Sequence, residues 1–139
     1  MNKEFIPYEQ ALELKELGFD DNCFASYTYD RHKEGAMVFD IKEQNGLRWS
    51  TNTNEGCKQY KEPCTAPLYQ QAFRWFREKH NLKGGILYIG GLKPETTWWD
   101  IYVVGHYNIE YNEMEMKYQP YEEAELACLK KLIEIAKNK

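Results

Sequence analysis

Arg48, Trp49, Arg74, Arg77, Trp98, Trp99 and His106 are the side chains of this sequence whose types and spacing suit binding or reaction. Arg74 and Arg77 stand three apart in a helical pattern, so they are neighbours on one polar face with Gln70 and Gln71. Trp98 and Trp99 are consecutive in a strand pattern and must point to opposite faces. One of them can enter a core; the other meets water or a partner unless a second layer covers it. Arg48-Trp49 raises the same question earlier in the chain. An exposed aromatic ring beside paired arginines can stack a base and hold a phosphate, which points to a small anionic, nucleotide-like ligand. The competing account is that the arginines pair with nearby glutamates while the tryptophan covers a sheet edge.

Catalytic constellations are harder to find. His106 follows Val103-Val104-Gly105 at a strand end, where a general base can sit, but the sequence names no partner for it. A cysteine acting with a histidine is the other available nucleophile pair. Together they define the alternative to a binding protein, a small hydrolase or transferase using His106 or a cysteine. His80 lies at the edge of an apolar helix face and reads as a packing residue rather than a ligand. There is no HExxH and no serine elbow, and Gly84-Gly85 and Gly90-Gly91 bracket a strand at the wrong spacing for a phosphate loop, so they read as turns. Cys23, Cys57, Cys64 and Cys128 are scattered, and the six-residue gap in CKQYKEPC, without a nearby histidine, is not a zinc spacing. They read as free thiols of a reducing compartment, with a Cys57–Cys64 disulfide open as an oxidised form. No catalytic residue, metal site or cofactor is assigned.

These side chains need elements to hold them. The stretch Thr65–Leu82 has a helical period that puts Leu68, Tyr69, Ala72, Phe73, Trp75 and Phe76 on one broad face. Pro67 would sit in its first turn, Thr65 or Ala66 at its cap, and Gly84-Gly85 would end it. A first helix is expected over Pro7–Leu17, stopped by Gly18 with Phe19 closing the stop. A last one over Tyr121–Ala136 shares Tyr121, Ala124, Cys128, Leu129, Leu132 and Ile135 on one face. All three open on a similar phrase in which proline starts the helix and tyrosine covers its first turn. Strands are expected at Phe24–Tyr29 and Ala36–Ile41, joined as a hairpin, and at Ile86–Ile89 and Trp98–Gly105, joined as another. Weaker strand signals lie at 47–50 and at Glu113–Tyr118, the latter an edge that could pair with a second copy or be shielded by its charges. The region from Lys42 to Pro63 otherwise reads as a polar, turn-rich loop. The expected architecture is one α+β domain over 1–139, in the order α-β-β-(β)-α-β-β-(β)-α, with helices covering an antiparallel sheet of hairpins.

Composition narrows the classes. The 139 residues suit one domain with a core, and 29% charged with 42% hydrophobic residues describes a folding chain rather than a disordered one. Aromatics reach 15%, with 11 Tyr and 4 Trp, enough both to fill a core and to anchor an interface. A net charge of −4 disfavours nucleic acid as the main partner. That role would need Arg48, Lys58, Lys61, Arg74 and Arg77 to form one basic face. No apolar run in the sequence is long enough to span a bilayer, and MNKEFIPYEQ has no apolar core of a signal peptide, so a cytoplasmic protein is expected.

The phrases FIPYEQALELKELGFD (Phe5–Asp20), YQQAFRWFREKHNL (Tyr69–Leu82) and YEEAELACLKKLIEIAK (Tyr121–Lys137) cover both ends and the middle helix. In these the chain resembles short uncharacterised proteins from phages and prophage-like elements of Bacteroidota and their relatives. The resemblance implies a phage or mobile-element origin and carries over no activity, cofactor or catalytic residue. With the aromatic and arginine inventory, it makes a non-catalytic accessory protein the expectation, one that binds a host protein or a small anionic ligand. Sequestration of a nucleotide signal of host immunity, a form of counter-defence, is one concrete version.

Overall fold

The first helix, α1 (Tyr8–Glu16), stops where local chemistry requires it. Gly18 takes a φ of +96°, which glycine adopts without a Cβ penalty. Its amide donates to Lys15 O (3.0 Å) and that of Phe19 to Leu14 O (2.9 Å), the bond pair of a Schellman stop. Leu14 and Phe19 are both buried, as the accompanying apolar contact requires.

The computed structural model describes residues 2–29, 34–39, 42–44, 47–49, 52–59, 62–105, 109–112 and 118–139. The chain is α+β, its sheets antiparallel, and its contacts divide it into two compact units, Met1–Leu68 and Tyr69–Lys139. Among the described residues no helix is long and apolar enough to cross a membrane.

In the first unit, β1 (Ala25–Tyr29) is central, with the hairpin partner β2 (Glu34–Phe39) on one side. Two short strands, β3 (Lys42–Gln44) and β4 (Leu47–Trp49), pair as a separate small sheet. The region expected to be loop then contains a helix, α2 (Asn54–Gln59). Its first turn is held from two directions. Thr53 Oγ1 accepts the Gly56 amide (3.0 Å), a standard N-cap bond, and Asp20 Oδ1 accepts the Glu55 amide (2.9 Å). Beyond it, β5 (Cys64–Thr65) pairs with the other edge of β1, so the sheet order is β2-β1-β5.

In the second unit, α3 runs from Tyr69 to Lys79, later than the sequence pattern suggests. Thr65 is drawn into β5 by its pairing with Ser26, and Pro67 precedes the helix, where its carbonyl accepts the Ile6 amide (2.9 Å). Asn81, at φ +54°, turns the chain out of the helix; asparagine enters this left-handed region more readily than most residues. The glycine pair expected to end the helix lies instead inside β6 (Lys83–Gly90). That strand pairs along its length with β7 (Thr97–Val104), which also pairs with β8 (Ile109–Asn112). A Cβ on Gly84 would come within 2.8 Å of both Cys128 Sγ and Leu132 Cδ1, so glycine here lets a helix lie close on the sheet. That helix is α4 (Tyr121–Lys137), which buries Ala124, Cys128, Leu129, Leu132, Ile133 and Ala136. Of the expected strand at Glu113–Tyr118, only Tyr118 belongs to the described residues, and it bridges to Trp99.

Candidate functional site

Strand alternation decides what α4 covers. Gly84, Ile86 and Tyr88 share one face of β6, opposite Val103, Ile101 and Trp99 on β7. Val103 and Ile101 are buried, Trp99 is half-buried, and Tyr88 is 53% exposed. Burial fades along the hairpin because the helix ends first. Cys128 and Leu132 lie over Gly84, Tyr121 at the helix start meets Trp99, and the hairpin continues past it towards Thr97 and Gly90. The uncovered end is an open cleft of about 780 Å³, lined by aromatic, proline, threonine and glutamine side chains with Leu92 and Glu95.

Three rings make its framework. Trp99 meets Tyr88 at 5.4 Å between centroids and an interplanar angle of 69°, and Tyr121 at 4.9 Å and 80°. Both tyrosine planes therefore stand steeply on the indole plane, the edge-to-face geometry that ring quadrupoles favour. Hydrogen bonds fix the surroundings. The Tyr88 hydroxyl donates to the carbonyl of Gly91, with Gly90 O at 3.1 Å. The Gln119 side-chain amide donates to Pro94 O (2.8 Å) and Thr97 O (2.9 Å), fastening the approach to α4 onto the hairpin turn. Trp99 and Tyr118 exchange backbone bonds of 3.0 and 3.2 Å. At the turn, Gly90 takes φ +133°, and a Cβ there would lie 2.3 Å from Thr96 O, so only glycine closes it. Leu92 stands at the rim fully exposed, and burial pushes the Tyr121 hydroxyl above its ordinary pKa, with Glu125 adding to the shift.

Of the residues singled out from sequence, Trp99 lines this cleft. Trp98 points to the opposite face of β7, as consecutive strand positions must. Arg74 and Arg77 are exposed on α3 and do not line the cleft. Arg48 and Trp49 lie on β4, opposite Glu43 and Lys42 in register. His106 falls outside the described residues, as does Lys61, while Lys58 pairs with Glu55 at 2.8 Å. His80 packs on Trp75 and Phe76 at 4.7 and 5.6 Å between rings, and burial lowers its pKa.

The cysteines are free and buried. Burial raises the thiol pKa to about 12 at Cys23, Cys64 and Cys128 and to about 11 at Cys57, so none is poised as a thiolate. Cys57 sits in a satisfied polar network instead. The Asn52 side-chain amide lies 3.3 Å from Ser26 Oγ, 3.3 Å from Glu62 Oε2 and 3.6 Å from Cys57 Sγ. Nearby, Asn54 donates to Phe19 O (2.5 Å) and accepts from the Thr65 amide (2.9 Å). Among the described residues no group of His, Cys, Asp and Glu is arranged to hold a metal ion. One buried polar atom lacks a partner among these residues, Oδ1 of Asp100 on β7.

Sequence reasoning missed Tyr88, Leu92 and Tyr121 as site residues. The usable signal was the register of the second hairpin, which sets Tyr88 directly opposite Trp99. Comparison of the chain with protein-family models, with curated proteins and with solved structures returns no match.

Proposed function

We propose that this chain is a non-catalytic binding protein whose working surface is the cleft of Tyr88, Trp99 and Tyr121, and whose partner is a protein segment. One observation carries the reading: three aromatic rings are held in fixed mutual geometry, two of them exposed and Trp99 half-buried, beside a leucine that buries nothing. Aromatic residues presented this way bring large contact area at little entropic cost and are typical anchors of interfaces. The resemblance to phage and prophage proteins supports an accessory role in a host cell, with a host protein as partner and counter-defence as its purpose. A small anionic ligand has less support, since among the described residues no lysine or arginine lines the cleft. An enzyme built on a cysteine has less again, because each thiol is buried and held well above neutral pKa.

A photo-crosslinking side chain at position 92 tests this in cells that express the protein. It should give a discrete adduct that the same side chain at the exposed Lys79 position does not. The same adducts from both positions would show that the cleft is not the binding surface.

A further inference from the structure

Resting on the cleft as a binding surface, we propose that it seats a cationic side chain, the ammonium or guanidinium head of a lysine or arginine on an extended partner segment. The ring geometry supplies the first argument. Tyr88 and Tyr121 stand at 69° and 80° to the Trp99 plane, at 5.4 and 4.9 Å, and all three rings border the cleft. A cation within about 6 Å of such ring faces is held by their quadrupoles, most strongly by tryptophan.

Charge supplies the second. Among the described residues Glu95 is the single acidic side chain lining the cleft, it is exposed, and no lysine or arginine lines it. The start of α4 opposes a cation with its dipole, equivalent to roughly half a positive charge. Glu95 carries a full negative charge against that half, so among the described residues the lining favours a cation. Size supplies the third. At about 780 Å³ the cleft far exceeds one ammonium head, and its open rim at Leu92 and Pro94 leaves room for the chain that carries it. The hydrogen bonds from Tyr88 to the Gly91 carbonyl and from Gln119 to Pro94 and Thr97 hold the cleft wall before any partner arrives, so little ordering accompanies binding.

The test follows the Trp99 indole N–H resonance, assigned with Trp99→Phe, during titration with choline and with its neutral isostere, in which carbon replaces the quaternary nitrogen. A third titrant is a capped peptide with one central lysine. Choline should bind saturably with a Kd of about 1–10 mM, and the isostere about tenfold more weakly. Glu95→Gln, at an exposed position, should weaken choline by about threefold or more while leaving the melting temperature unchanged. The lysine peptide should bind at least as tightly as choline. Equal binding of choline and isostere, or no change in Glu95→Gln, would overturn the cationic ligand while a position-92 crosslink still upheld a binding cleft. Choline binding without lysine-peptide binding would overturn the protein segment as source of the cation. No shift of Trp99 with any titrant would overturn the inference altogether.

Discussion

The two units handle polarity in opposite ways. The first turns polar side chains inward and satisfies them: Asn52, Asn54, Ser26 and Thr65 are buried, and each makes hydrogen bonds. The second buries Tyr69, Trp75 and Phe76 but leaves Tyr88 and Tyr121 exposed, at the end of a sheet whose other end is packed under α4. A buried polar network specifies one arrangement because each missed bond is costly there. An exposed ring cluster adds little to folding, so its fixed geometry calls for a use beyond folding. The first unit therefore reads as structure built from polar parts, and the second as structure with a surface to spare.

Substitutions can break that contrast. The largest effect is expected at Asn54, whose loss to alanine removes its bond to the Phe19 carbonyl and leaves the buried Thr65 amide without its side-chain acceptor. Chemical denaturation should find Asn54→Ala destabilised by about 2–4 kcal/mol, and a loss below about 1 kcal/mol would mean that water replaces the side chain. Next comes Gly84→Ala, which drives a methyl group against the buried Cys128 and Leu132 and should cost about 1–3 kcal/mol. An unchanged midpoint would show that α4 lifts from the sheet freely.

Asp100 gives an effect of the other sign. It is 1% exposed, and its Oδ1 has no partner among the described residues, so Asp100→Asn should raise stability by about 1 kcal/mol or more. A fall instead would reveal a partner that the carboxyl group serves. The smallest effect is at His80. Because its folded-state pKa lies below the ordinary 6.5, the neutral ring is the one that folding favours. Its contribution is therefore complete above pH 6.5 and is lost as pH falls through the lower folded value. Stability measured across mildly acidic pH should lose part of its acid slope in His80→Asn, and an unaltered slope would assign it elsewhere.

How much of this was legible in the sequence follows from how local each feature is. Helices α1 and α4 and the β6–β7 hairpin were readable because their periodicity and stops lie within their own residues, Gly18 above all. Helix α2 was not, because one of the two bonds on its first turn comes from Asp20, 35 residues away. The other comes from Thr53, which lies in a run of Thr and Asn that suits turns equally well. Gly84-Gly85 looked like a turn because spacing cannot reveal what approaches a strand from another element. The site was half legible. Trp99 stood out as one of two adjacent tryptophans that could not both be buried on one face, but Tyr121 fitted the buried face of α4. Its exposure of 40% follows from where the helix begins relative to the hairpin, a tertiary fact.

One comparison bears most directly on the cleft as a binding surface: capture from a lysate of the source cells on immobilised wild-type protein and on Leu92→Lys, read by mass spectrometry. Leu92 is fully exposed, so the variant should melt within about 0.5 kcal/mol of wild type. The account predicts a protein retained by the wild type and lost from Leu92→Lys. The same protein retained equally by both would contradict it.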